Sequence, residues 1–173
     1  MGDHSESVQI DYDPSRISYE ELLKVFWSGH DASHRSWSRQ YASLILVHDA
    51  TQRKAAEASK ARIEKESGKP VATEILDYRG FTLAEDYHQK HSLRFFPQFE
   101  AAFSRIYPST GELIASTAAA RVNGYLGDEG SFEALGREVG DLGLSPELQQ
   151  ELLRIVSRGR SKAACPVPAA LGS

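Results

Sequence analysis

Few residues of this chain have the type and spacing to do chemistry. One cysteine, Cys165, occurs in 173 residues, which excludes an internal disulfide and any multi-thiolate zinc or iron–sulfur centre. Thiol chemistry, if the chain performs it alone, has this one sulfur to use, and the plainest reading of Cys165 is an incidental exposed thiol. His30-Asp31-Ala-Ser-His34 echoes the H-E-x-x-H zinc helix, but Gly29 stands just before it, where the preceding helix should end, so zinc ligation is not expected. Three glycines between Gly124 and Gly130 follow no predicted strand and include no P-loop lysine, so phosphate binding is not expected either. From residue type alone, Glu6 ahead of a predicted strand reads as a solvated carboxylate. Tyr41, at the start of another, reads as a core tyrosine. Trp37 is expected to cover the core. Asp86 and His88 read as structural partners, because a buried histidine beside a carboxylate is more often a satisfied hydrogen-bond group than a catalyst.

The elements that must position these residues follow from periodicity. Val8, Ile10 and Tyr12 alternate with polar residues and predict a strand with one buried face. Asp13-Pro14 turns the chain. Ser18 and Glu21 form a capping box, with Ile17 and Leu22 spaced as a hydrophobic staple, and Tyr19, Leu22, Leu23 and Phe26 give the following helix an apolar face ending at Gly29. Tyr41 to Val47 is a nearly continuous apolar run, expected as a strand covered on both faces. Asp49 and Gln52 cap an alanine-rich helix from Ala50 to about Glu66, stopped by Gly68 and Pro70, and Val71 to Leu76 is a third predicted strand. Thr82 and Glu85 form a third capping box, predicting a helix that carries Glu85, Asp86 and His88. The alternation of strand and helix predicts an α/β sandwich of two layers.

Beyond Phe95 the texture is helical. Pro97 suits the first position of a helix whose Phe96, Phe99, Phe103 and Ile106 recur at helical spacing, a stripe read as core. Ser131–Leu142 and Ser145–Val156 predict two short helices packed as a hairpin. The tail from Ser157 has too little to bury and is expected to be flexible. The net charge of -4 argues against a nucleic-acid partner, which needs a basic face. No apolar run approaches the ~20 residues that cross a bilayer, and the polar start is unlike a signal peptide, so a cytoplasmic protein with no membrane partner is expected.

The pattern G-x-H-x-E at Gly2–Glu6 and the run Asp13-Pro-Ser-x-Ile-Ser-Tyr-Glu-x-Leu-Leu-x-Val-Phe-Trp-x-x-His-Asp31 resemble the A-type peptide methionine sulfoxide reductases. Gln40-Tyr41 before ASLILVHD, Glu57-Ala58-Ser59-Lys60, the strand VATEIL and Ala84-Glu-Asp-Tyr-His-Gln89 follow in the family's order. An ordered series is far more specific than any one short match. Ser116 to Gly127 resembles a later region of some members.

The resemblance implies a ferredoxin-like α+β two-layer core over residues 1–127, with its first strand lying ahead of Met1, then a helical extension over 128–156 and a flexible tail over 157–173. It implies reduction of methionine-S-sulfoxide, free or in peptides, by thiol chemistry, with thioredoxin as electron donor and no cofactor or metal. Glu6 matches the family's proton donor to the sulfoxide oxygen, a role that calls for a carboxyl raised in pKa by an apolar pocket. Tyr41 matches the tyrosine that polarises the same oxygen. Tyr41 and Trp37 are candidates for lining the substrate pocket, Asp86 and His88 for supporting it, and Cys165 for a resolving thiol. The family's nucleophile sits in a Gly-Cys-Phe-Trp run that these 173 residues do not contain, so impaired activity is expected of this chain. The stretch Ala32 to Gln40 also lacks the aspartate that most members place there. A non-catalytic binding module keeping half of the pocket is the alternative.

Overall fold

A computed structural model of the chain describes residues 5–158. They fall into two compact units that divide after Thr82.

The first unit is mixed α/β. Its first helix, α1 (Tyr19–Ser28), starts where the sequence says it should: the Ser18 hydroxyl accepts from Glu21 N, and the Glu21 carboxylate accepts from Ser18 N at 2.8 Å. Gly29 caps its other end. Strand β1 (Leu44–Val47) leads into α2 (Ala50–Ser67), capped by Asp49 and stopped by Gly68 at φ 67, a left-handed conformation that costs glycine little. The chain returns as β2 (Glu74–Asp77), parallel to β1 with Leu44 opposite Glu74 and Val47 opposite Asp77. A parallel pair needs a crossover of this length, and α2 supplies it.

Ile45 and Val47 point from the sheet into a core with Leu23, Trp27, Ala56 and Val71. Small residues on α2 permit this packing. Ala56 and Ser59 are buried on one face, and Ser59 accepts a hydrogen bond from the Trp27 indole at 2.9 Å while donating to the Ala56 carbonyl at 2.8 Å.

The second unit is helical: α3 (His91–Arg94), α4 (Pro97–Ile106), α5 (Thr110–Ala115), α6 (Thr117–Leu126), α7 (Phe132–Glu138) and α8 (Pro146–Arg158). Leu93, Phe99, Phe103, Val122, Leu135 and Leu152 are fully buried in one cluster. Helices α7 and α8 pack on each other, and α8 also packs on α6, so the expected hairpin is part of a larger core. The last residue of α7 closes one side: Glu138 accepts from the Tyr125 hydroxyl and from Arg121 Nε, both at 2.6 Å.

Five expectations are corrected. Residues 8–12 form no strand; Val8 is 86% and Ile10 59% exposed. Alternation says which face of a strand would be buried, but the ladder and the cover must come from elsewhere in the fold, and the described residues supply neither. The strand expected from Tyr41 begins only at Leu44, because Ser38 caps a 3-10 turn over Arg39–Tyr41. The strand expected over Val71–Leu76 is Glu74–Asp77. The Thr82/Glu85 capping box does not open a helix; Asp86–His88 is one 3-10 turn without a side-chain cap. Leu83 and Tyr87 around it are exposed, so no apolar stripe repays the cost of ordering a longer helix there. The tail expected from Ser157 is helical through Arg158, and its remainder, with Cys165, lies outside the described residues.

Candidate functional site

The segment Arg39–Ser43 carries the first unit's candidate chemistry. Its turn is set locally, with Ser38 Oγ accepting from Gln40 N at 3.2 Å. Arg39 then anchors it to β2 through two bonds from Nη1 to the Glu74 carboxylate, at 2.8 and 2.9 Å. Onto this turn the chain start is laid. Glu6 N donates to the Gln40 carbonyl at 2.9 Å, Gln40 Nε2 donates to Glu6 Oε1 at 2.7 Å, and Ser5 Oγ donates to the Arg39 carbonyl at 2.7 Å. Residues 34 positions apart in sequence are thereby joined, and Glu6 sits beside Gln40.

Glu6 is exposed and held by an amide, not enclosed by apolar walls, so the expected apolar pocket around its carboxyl is not there. Tyr41 is 55% exposed, which overturns its reading as a core tyrosine, and its ring centroid lies 6.2 Å from that of Trp37. Trp37 is 89% exposed, which overturns the expectation that it covers the core. Its position in a polar run, Arg35-Ser-Trp-Ser-Arg39, leaves it no apolar neighbours in sequence to pack with.

Tyr41 lines a cavity of about 380 Å³ with Phe26, His30, Asp31, His34, Ser36 and Ser43. Neither Glu6 nor Trp37 is among its lining residues. Asp31 is held below the usual carboxylate range by hydrogen bonds from the Ser33 hydroxyl and the Ser33 main-chain N–H. It is therefore an anion at the cavity edge at neutral pH.

His30 is the best-connected group of this cavity. Its Nδ1 lies 2.9 Å from the Phe26 carbonyl, its Nε2 2.9 Å from Ser43 Oγ, and Ser43 Oγ is 2.9 Å from Thr73 Oγ1, which is fully buried. The ring is 4.7 Å from Phe26 and stacks on Trp27 at 6.0 Å. Sequence reasoning considered this histidine only as a zinc ligand. Its place just past the glycine that ends an amphipathic helix, where a ring can bond the last-turn carbonyls, was the available signal. No group of three or more potential metal ligands exists among the described residues.

Asp86 and His88 belong to the second unit. Asp86 accepts from the Thr110 hydroxyl at 2.9 Å, and His88 is exposed, with Nε2 3.8 Å from Glu85. The expectation of a buried histidine there is corrected.

In the first unit Glu6 is bonded to Gln40, the residue that precedes Tyr41, and comparison with known proteins gives the family. The family model described as peptide methionine sulfoxide reductase matches residues 1–115. The chain belongs to that family. A peptide methionine sulfoxide reductase from Drosophila melanogaster is 40% identical over 153 residues, covering 87% of this chain and 61% of the fly protein. Peptide methionine sulfoxide reductase MsrA from Methanosarcina acetivorans is 40% identical over 95 residues, 51% of this chain and 50% of its own length. The corresponding protein of Sulfolobus acidocaldarius is 42% identical over 90 residues, 49% of this chain and 51% of its own. The chain thus spans between about half and three-fifths of these curated relatives, and the family match includes Glu6, Trp37, Tyr41, Asp86 and His88.

Proposed function

We propose that this chain carries the oxygen-binding wall of a methionine-S-sulfoxide reductase pocket, with Glu6 as proton donor and Tyr41 as hydrogen-bond donor to the sulfoxide oxygen. The observation that supports the reading is the pair of bonds seating Glu6 on Gln40, the residue that precedes Tyr41 in its turn. Trp37, exposed beside Tyr41, is suited to meet the thioether end of the substrate.

The chemistry needs a thiol. Its sulfur attacks the sulfoxide sulfur, the S–O bond breaks with the oxygen passing to the thiol as a sulfenic acid, and methionine leaves as the thioether. A second thiol then condenses with the sulfenic acid to a disulfide, releasing water, and thioredoxin would reduce that disulfide in a cytosolic setting. An acid at the oxygen assists the first step by neutralising the charge that develops there. These 173 residues contain no Gly-Cys-Phe-Trp run and one cysteine, Cys165, so turnover by this chain alone is impaired. Asp86 supports the fold through Thr110. Residues 1–127 are the reductase-like part, with β1–α2–β2 belonging to a ferredoxin-like two-layer core, and 128–156 extend it within the helical unit. The single cysteine also favours a second reading, a binding module that retains half of the pocket without catalysis.

Binding and turnover separate the two. The chain is titrated with a peptide containing methionine-S-sulfoxide, its R epimer and its thioether, then assayed for reduction of each sulfoxide in dithiothreitol. The reductase reading expects a preference for the S epimer that weakens in Glu6→Gln and Tyr41→Phe, and slow S-selective reduction that one or both substitutions cut by about tenfold or more. S-selective binding with no reduction supports the binding module. No discrimination between the sulfoxides and the thioether overturns both. A Cys165→Ser variant shows whether the tail thiol is the one that attacks.

A further inference from the structure

The segment Arg39–Ser43, which bears Tyr41 and seats Glu6, has two ends. At one end Glu6 is bonded to Gln40 and Arg39 is bonded to Glu74. At the other stands Ser43, and what holds Ser43 is His30. We propose that His30 is a positioning residue, a neutral imidazole whose Nδ1–H fastens it to the end of α1 and whose Nε2 fixes Ser43, and with it the Tyr41 side of the pocket. The proposal deepens the reductase reading and rests on it for its relevance to sulfoxide binding.

With the ring neutral, as proposed, the direction of each hydrogen bond follows from the partners. The Phe26 carbonyl can only accept, so Nδ1 must carry the ring hydrogen. In the neutral ring Nε2 is then an acceptor, and the Ser43 hydroxyl donates to it. That uses the only hydrogen on Ser43 Oγ, so the Thr73 hydroxyl donates to Ser43. The order Thr73 to Ser43 to His30 to Phe26 is a one-way chain in which every group is satisfied. It ties together the end of α1, the entry to β1 and the approach to β2, three segments that are 13 and 30 residues apart at its successive links.

The ring is also braced from the side by Phe26 and Trp27, so its plane has little freedom. Ser43 is two residues past Tyr41, and both line the same cavity as His30. Ser43 O additionally accepts from Glu74 N at 3.1 Å, which puts the main chain of the segment on the sheet while His30 holds its side chain. A phenol that must meet a small oxygen gains from such a fixed base, since misplacement by about an ångström is costly for an oriented hydrogen bond.

The experiment uses the full chain, with nitrogen-15 in its histidine rings and carbon-13 in its tyrosine rings. The expected wild-type spectrum has a His30 Nδ1 of the protonated kind and an Nε2 of the bare kind. His30→Phe keeps the ring against Phe26 and Trp27 but loses both bonds. Ser43→Ala removes one hydroxyl alone. His30→Gln offers an amide that can donate and accept. Both His30→Phe and Ser43→Ala should broaden or shift the Tyr41 ring signals while the core methyl groups of Ile45 and Val47 stay in place, and His30→Gln should restore them in part. Affinity for the S-sulfoxide peptide should fall about fivefold, the value of one hydrogen bond, in the two disabling variants.

A protonated Nε2 in the wild type, or Tyr41 signals unmoved in both disabling variants with the core intact, overturns the proposal. A wild-type chain that does not bind the sulfoxide defeats the reductase reading instead, since the tautomer and the Tyr41 signals are read without ligand.

Discussion

Replacing Ser59 with alanine probes the packing of α1 on α2 through one atom. The Trp27 indole N–H is buried and its acceptor is Ser59 Oγ at 2.9 Å. Alanine leaves the indole in place and removes that acceptor, so a buried donor stays dry and unpaired. The penalty for such an orphan is about 1–3 kcal/mol. Against it stands a gain of about 0.5 kcal/mol, because alanine is the better helix former in the interior of α2. The net loss is therefore about 0.5–2.5 kcal/mol.

Both tryptophans of the chain, Trp27 and Trp37, lie in the first unit, so tryptophan fluorescence in urea reports on that unit. With a denaturant slope of about 1 kcal/mol per molar for a unit of this size, the midpoint should fall by about 0.5–2.5 M. Ala58→Ser, one position away and exposed on the same helix, measures the propensity term by itself and should cost about 0.5 kcal/mol. Indole exchange with solvent should also become faster in Ser59→Ala. If that variant is as stable as the wild type, the lost bond costs no more than the propensity gain of about 0.5 kcal/mol, and the account of this core is wrong.

Two further outcomes follow from the structure. Burial pushes the Glu138 carboxyl up, but hydrogen bonds from Tyr125 and Arg121 and the Arg121 charge outweigh it and leave the group below its usual value. A depressed folded pKa stabilises above the unfolded value of about 4.3 and loses that contribution as pH falls through the folded one. The stability difference between wild type and Glu138→Gln, followed by far-ultraviolet circular dichroism of thermal unfolding, should therefore be constant near neutrality and shrink below about pH 4; a difference independent of pH contradicts it. Asp49→Ala removes the carboxylate that accepts from Gln52 N at 2.8 Å and should cost the first unit about 1 kcal/mol in the same fluorescence titration.

Helices α1, α2, α4, α7 and α8 were legible in the sequence because their signals are local. Ser18 with Glu21, and Asp49 with Gly68, fix the ends of α1 and α2 within a few residues of themselves, and Pro97 with the phenylalanine spacing does the same for α4. Ser109 and Glu112 form an equally plain capping box for α5 that the sequence reading passed over. The order of blocks from Gly2 to Gln89 was enough to place the chain in its family, because an ordered series of residues survives whatever the chain does between them.

Other features required the folded chain. Alternation at Val8, Ile10 and Tyr12 could specify a face but could not provide the neighbouring strand that would cover it. Glu6 and Tyr41 could be singled out by the family pattern, yet the bonds that seat Glu6 on Gln40, next to Tyr41 in sequence, span 34 residues. His30, Ser43 and Thr73 are three ordinary polar residues until α1, β1 and β2 converge. The sequence by itself determined element type, caps and family, since each rests on neighbours along the chain. Only the tertiary structure decided which side chains share a hydrogen bond, because that depends on distances that no local rule contains.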